Sequence, residues 1–283
     1  MTQETVDTKG EDRRKWLHDE TKRSIDYIRQ IGDVHQVTVK SLLGAIHEPD
    51  LTLALHNLQR HLVNVSPEQD AVLQKELKEN EFAALIARNE AESGFSTVNA
   101  HAAVALWGAM EAWIEDVAYS AIASHMQYRL HKAFADIRIS VAEYEAMDAH
   151  ERAAMLAHEL QRTTKSKHLP GIARFEGILA VFDLSGATPA DVRRDLLELL
   201  NVRNVIVHRA SVADETFVTA CPWMSVVPGQ RLSVSIGDVY RYRIACGRYL
   251  TEVIVRALPE AERSEVRSKM TYGNVSDPQT GLM

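Results

Sequence analysis

The run Arg203-Asn204-Val205-Ile206-Val207-His208-Arg209 gathers basic and hydrogen-bonding side chains at the end of an otherwise apolar stretch. On a helix, Asn204 and His208 share one face because they are four apart, and the long side chain of Arg203, starting about 100° away, can sweep towards the same opening. Together they can surround an anion. A histidine exchanges protons near neutral pH, so beside RNA it can take the proton of a 2′-hydroxyl or protonate a leaving 5′-oxygen. The planar arginine fork binds phosphate and stabilises charge building at phosphorus, and asparagine orients phosphate or imidazole by hydrogen bonding. Attack by the adjacent 2′-hydroxyl leaves a 2′,3′-cyclic phosphate and a 5′-hydroxyl, needs no metal, and suits single-stranded RNA, where the in-line geometry is open. The same residue types at a helix C-terminus also cap carbonyls and favour the macrodipole, so the spacing by itself leaves both readings open.

The segment TPADVRRDLLELLNVRNVIVHR must position these residues. Thr188 can cap it, Pro189 suits the first helical position, and Asp191 lies three residues after the cap. Val192, Leu196, Leu199, Leu200 and Val207 then give a broad apolar face. Upstream, Ser96 or Thr97 opens a long helix through Val98, Ala102, Ala105, Leu106, Ala109, Trp113 and Val117, whose small residues admit a close neighbour. Further helices are expected near 141–160 and 171–184, and a last one from Gly237 to Ala257. Between them, FVTACPWMSVVPGQRLSVSI alternates around Leu232, Val234 and Ile236 and contains Pro228-Gly229, which predicts a small β-hairpin.

Residues 1–94 read as a helical extension. Trp16, Ile25, Ile28 and Ile31 recur at helical spacing, as do Leu53, Leu55, Leu58 and Leu62, and Val72, Leu73, Leu77, Leu85 and Ile86 form a stripe among charges. Pro49 and Pro67 mark breaks. The expected architecture is therefore all-α: a helical bundle over 95–258 with a small β-hairpin insertion, an N-terminal helical extension over 1–94, and a polar tail over 259–283.

The 283 residues carry 32 Lys plus Arg against 39 Asp plus Glu, a net charge of −7, with most of the acidic excess in residues 1–94. This disfavours a globally basic nucleic-acid coat but leaves a local positive groove open. Residues 160–175 contain Arg162, Lys165, Lys167 and Arg174 with no acidic residue, which fits either a solvated loop or a phosphate-contacting, RNA-binding edge. Cys221 and Cys246 form no CxxC or zinc pattern, and a reducing cytoplasmic setting fits them. No apolar leader and no membrane-length apolar run is seen, so a soluble protein away from membranes is expected. His18, His35, His47, His56 and His61 are scattered without a ligand pattern, so no metal is expected. Trp107, Trp113, Tyr119, Tyr240, Tyr242 and Tyr249 suit core packing more than base stacking, and Glu115 with Asp116 suits a solvated face. No Walker loop, dinucleotide glycine fingerprint, nucleophile elbow or HExxH motif occurs.

The segment LLNVRNVIVHRA, downstream of the helix NAHAAVALWGAMEAWIEDV, resembles the HEPN family, named for higher eukaryote and prokaryote nucleotide-binding domains. The resemblance covers approximately residues 95–258 and is closest to bacterial HEPN endoribonuclease-like proteins. It rests on an arginine, a polar residue and a histidine after a short gap, met here by Arg203, Asn204 and His208. It implies that these three are catalytic, that Glu111 is the acidic residue of the first core helix and orients Arg203 or His208, and that Arg209 is an auxiliary phosphate contact. It further implies a metal-independent, cofactor-free endoribonuclease acting on single-stranded or loop RNA as a homodimer, with two copies of the helix lining one cleft. Use in toxin–antitoxin or anti-phage defence, with an antitoxin or defence-system protein on another chain as partner, follows by analogy alone. The alternative within the same resemblance is a non-catalytic nucleotide-binding or protein-assembly module.

Overall fold

The longest apolar stretch of the sequence makes the central helix. In the computed structural model, which describes residues 4–135, 137–163 and 169–269, α4 spans Ser96–Ser124 and is buried on most sides from Ala102 to Ile122. Its alternation of Ala and Gly with Trp107, Met110 and Trp113 lets neighbours approach closely while large rings fill the gaps. Before it come α1 (Glu4–Ala45), α2 (Glu48–Leu62) and α3 (Pro67–Glu92); after it α5 (Val141–Ala146), α6 (Ala149–Thr163), α7 (Ala173–Leu179), α8 (Ala190–Arg209), α9 (Glu215–Ala220), α10 (Ile236–Ala257) and α11 (Glu260–Lys269). The two proline breaks act as helix starts. Pro49 lies in the first turn of α2, and Pro67 opens α3 behind a capping box in which Ser66 and Gln69 bond reciprocally.

Two compact units divide the chain. The first comprises Met1–Ile25, Met110–Arg193 and Gly247–Met283. Its core includes Trp113, whose indole N–H donates to Thr21 Oγ1 at 3.3 Å and whose ring meets Tyr249 edge-on at 5.9 Å. Arg256 locks the turn that precedes α8: it donates to both oxygens of Glu176, to the Leu184 and Ala187 carbonyls, and to Thr188 Oγ1 at 2.8 Å. Thr188 therefore serves as an acceptor for a buried arginine where the sequence suggested a cap, and α8 begins after Pro189.

The second unit comprises Asp26–Ala109 and Arg194–Cys246. Leu106, Trp107, Leu196, Leu199, Val202, Val205, Phe217 and Tyr242 are among its buried side chains. Helix α1 contributes residues to each unit, and its Leu17, Ile28 and Val39 are buried. Of the stripe expected to pack α3, Leu73 and Leu77 are half-buried while Val72, Leu85 and Ile86 are exposed, and the buried positions of α3 are Ala84 and Ala87; on α2, Leu55, Leu58 and Leu62 are exposed and His56 is buried.

The expected β-hairpin is corrected by the structure. The fold is an all-α helical bundle, and among the described residues the segment after α8 holds only an isolated antiparallel bridge, Val212 with Arg231. The alternation is present in burial, with Leu232 and Val234 inside and Ser233 and Ser235 out, but backbone pairing is confined to the few bonds between Ser211–Ala213 and Gly229–Leu232 and does not extend into a strand. Asp214 accepts from the Phe217 amide and turns the would-be first strand into α9, and the Val234 carbonyl takes its bond from the Asn99 side chain at 2.8 Å. Ile236 opens α10, started by Ser235, whose hydroxyl accepts from the Asp238 amide.

Candidate functional site

Arg203, Asn204 and His208 occupy the last two turns of α8, inside the second unit. Val202 and Val205 anchor this stretch in the core, which turns Arg203 and Asn204 to the half-buried flank and leaves His208 exposed. The arginine side chain folds back along the helix. Its Nη1 donates to Asn204 Oδ1 at 3.2 Å and lies 3.1 Å from His208 Nε2. Since a guanidinium only donates, Nε2 is the acceptor there and the neutral ring carries its proton on Nδ1, a tautomer assigned from the geometry. Nε and Nη2 of Arg203 make no hydrogen bond to the described residues, so part of the fork is open for a phosphate.

The chain leaves this site through strain. Ala210 and Ser211 both have left-handed φ, 49° and 66°, which costs about 1–2 kcal/mol for each residue bearing a Cβ. The turn is held by backbone bonds: Ser211 N–H to the Val205 carbonyl at 3.1 Å, Leu232 N–H to the Ser211 carbonyl at 2.7 Å, and Val212 N–H to the Arg209 carbonyl at 2.9 Å. Such strain survives only where the surroundings over-determine it, and it collects at working sites. Arg209 is drawn off by Asp214 at 3.3 Å, a pairing that ties the helix end to the cap of α9.

Three of the other expected site residues have partners of their own. Glu111 and Arg174 are in the first unit and pair with each other at 3.0 Å, so the carboxylate expected to orient Arg203 or His208 is engaged by Arg174. Arg174 also lies over the Phe175 ring at 5.5 Å. Arg162 is exposed and paired with Glu159 at 3.3 Å. Lys165 and Lys167 lie outside the described residues.

One cluster escaped the sequence reading. Glu198, fully buried on α8, accepts from Tyr242 Oη at 2.7 Å, from Trp223 Nε1 and from Arg241, whose guanidinium also reaches Asp195 and, at 2.9 Å, Asp238. Arg194 lies over the Trp223 ring at 5.0 Å. Burial raises the Asp195 carboxyl above the ordinary range despite its bond to Arg241. Burial also raises Asp238, but its bonds to Ser235 and Arg241 outweigh that and hold it below. Burial, with the Glu198 charge behind it, pushes the Cys221 thiol up to about 12. Both cysteines are free, buried and unreactive by this measure. The helical spacing of Asp195 and Glu198 was the only available signal, and it is what an ordinary solvated face also shows.

Among the described residues no group of three or more His, Cys, Asp or Glu side chains is placed to hold a metal ion, and no helix is long and apolar enough to cross a membrane. His35 bonds Asn99 Oδ1 at 2.7 Å and His56 lies 3.2 Å from Asp70, both local structural partners. Comparisons with protein-family models, with curated proteins and with solved structures find no match.

Proposed function

We propose that this chain is a HEPN-like, metal-independent endoribonuclease acting on single-stranded or loop RNA through Arg203 and His208 with help from Asn204. The observation that carries the reading is the convergence of all three side chains on Arg203 Nη1 at the exposed end of α8. A phosphate docking on the open edge of the guanidinium competes for Nη1 and releases His208 Nε2 as a base. The ring takes the 2′-hydroxyl proton as the 2′-oxygen bonds to phosphorus. The phosphorus to 5′-oxygen bond then breaks, giving a 2′,3′-cyclic phosphate and a 5′-hydroxyl that receives a proton. Arg203 and the Asn204 amide stabilise the extra charge on the phosphoryl oxygens. One imidazole handles one proton at a time, and in the homodimer that the HEPN resemblance implies, the second copy's histidine serves as the acid. The reading places the protein in a reducing cytoplasm, which its free cysteines suit, and makes growth control or anti-phage defence, with a protein partner on another chain, its biological setting by analogy.

Purified wild-type and His208→Ala proteins are incubated with 5′-labelled single-stranded and structured RNAs in EDTA, and the new termini are identified. The expected result is cleavage by wild type alone, with cyclic phosphate ends and a loss of about 10²–10⁴-fold in the variant, the usual contribution of a general acid–base. Equal cleavage by the variant overturns the assignment of His208. RNA binding without cleavage by either protein moves the reading to a binding module.

A further inference from the structure

A groove of about 400 Å³ lies between α1 and α4 within the second unit. Ile31 and Val34 of α1 and Val98, Ala102 and Ala105 of α4 give it apolar walls, and the two alanines leave the space that larger side chains would fill. One buried polar side chain interrupts them. His35, 9 % exposed, lines the groove, and Asn99 fixes its ring. The Asn99 side-chain nitrogen donates to the Gly94 and Val234 carbonyls at 2.9 and 2.8 Å, so its hydrogens are taken and its Oδ1 is the acceptor that meets His35 Nε2 at 2.7 Å. Nε2 therefore carries the ring proton, and Nδ1 of the neutral imidazole is an acceptor with no partner among the described residues. The hydroxyl nearest in the chain is already spent, since Thr38 Oγ1 donates to the Val34 carbonyl at 2.8 Å.

We propose that this groove binds a small, neutral, planar aromatic molecule carrying one N–H or O–H donor, an indole or a phenol, with the ring between α1 and α4 and the donor on His35 Nδ1. The volume lies at the lower end of the ~300–1,000 Å³ of small-molecule sites and suits one or two fused rings. Ala102 and Ala105 are three apart on α4 and share a face, so they present a flat wall to a ring, and Tyr27, 52 % exposed, adds an aromatic edge to the same groove. Among the described residues no Asp, Glu, Lys or Arg lines it, so nothing there answers a permanent charge on the ligand. An aliphatic occupant would exclude water from His35 and leave Nδ1 an unsatisfied acceptor, whereas a ligand with its own N–H or O–H replaces the lost water. Apolar walls with a single placed polar group are the usual make-up of a site that fixes a ligand's orientation. The groove uses none of Arg203, Asn204 or His208, and the proposal does not rest on the ribonuclease reading.

Isothermal titration of the full chain with indole and with 1-methylindole, which has the same rings and no donor, tests it. Indole is expected to bind once per chain, with a Kd from roughly 100 μM to a few millimolar for a ligand of this size. 1-Methylindole is expected to bind at least about tenfold more weakly, because it leaves the buried Nδ1 unpaired. Ala105→Leu, at a half-buried position where leucine suits a helix, is expected to abolish binding of both probes with unchanged helical circular dichroism. In His35→Phe, indole should lose its advantage over 1-methylindole. That variant also takes a donor from Asn99 Oδ1, so if it does not fold the comparison of the two probes on wild type and Ala105→Leu decides. An indole that does not bind, which would leave the groove to a larger apolar partner, overturns the proposal. Equal binding of the two probes overturns it as well, because Nδ1 then plays no part. So does indole binding that survives Ala105→Leu, because the molecule then sits on another surface.

Discussion

Two polar clusters sit on α8 within a few turns of each other, and they use their charges in opposite ways. Around Glu198, one buried carboxylate accepts from a tyrosine, a tryptophan and an arginine, and that arginine is itself divided among three carboxylates. Around His208, one half-buried arginine donates through a single nitrogen to an amide and an exposed imidazole. In the first cluster each named carboxylate oxygen on Glu198 is already committed to donors on α10 or near α9, so the charge fixes packing. In the second the guanidinium has donors to spare and the histidine is exposed, which is what binding a phosphate requires. Partner number and exposure, more than residue type, separate the charge that fixes packing from the charge left with donors to spare.

The largest effect should come from breaking the buried side. Glu198→Ala leaves Tyr242 and Trp223 donors unsatisfied beside a new cavity, and we expect a loss of about 3 kcal/mol in stability by urea unfolding. Glu198→Gln keeps the volume and one acceptor and should cost clearly less. A Glu198→Ala protein as stable as wild type would mean that the cluster is solvated and that the contrast with the helix end is lost. His208→Ala should do the reverse, changing unfolding by no more than about 0.5 kcal/mol, as for an exposed site, while abolishing cleavage.

The strained turn between α8 and α9 offers a smaller and oppositely signed test. Ala210→Gly removes the Cβ clash at φ 49°. Against the extra chain entropy of glycine, this should leave a net gain of about 0.5–1 kcal/mol. If the strain serves to hold His208 and Arg209 in place, the more stable variant cleaves RNA more slowly. A variant that is less stable than wild type would show that the turn carries no strain worth releasing.

How much of this was legible beforehand follows the same division. Helices over Ser96–Ser124, Ala190–Arg209 and Ile236–Ala257 were readable because each has a long apolar period and a start signal. The meeting of Arg203, Asn204 and His208 was readable because a single helix fixes their spacing. The hairpin misread Leu232 and Val234: alternate burial is a property of side chains, whereas a strand needs a continuing row of backbone partners; Leu232 N–H bonds the Ser211 carbonyl, but at Val234 the side chain of Asn99, 135 residues away, takes the carbonyl. Pairings such as Arg174 with Glu111, or Arg241 with Glu198, join residues far apart in the chain, and no local period announces them. The exposed leucines of α2 carry a core-like pattern, and periodicity alone does not say whether a stripe is buried.

The smallest expected effect separates the two carboxylates that share Arg241. Burial raises the folded-state carboxyl of Asp195, so on acidification from neutral the folded protein binds this proton before the unfolded chain does, and the contribution of Asp195 to stability improves as pH falls towards the ordinary carboxylate range near 3.9. Asp238 is depressed by Ser235 and Arg241 against its burial, so its contribution is complete above that range and is lost as pH falls through its lowered value. Asp195→Asn removes a burial penalty that is present at neutral pH. Relative to wild type it should therefore be at its most favourable near pH 7, with the difference shrinking on mild acidification. Asp238→Asn should be unfavourable near pH 7, with its deficit closing only below the ordinary carboxylate range. Urea unfolding of the three proteins across this pH span reads both trends. Parallel curves would mean that Arg241 holds the two carboxylates alike, and that the buried cluster is less differentiated than its geometry indicates.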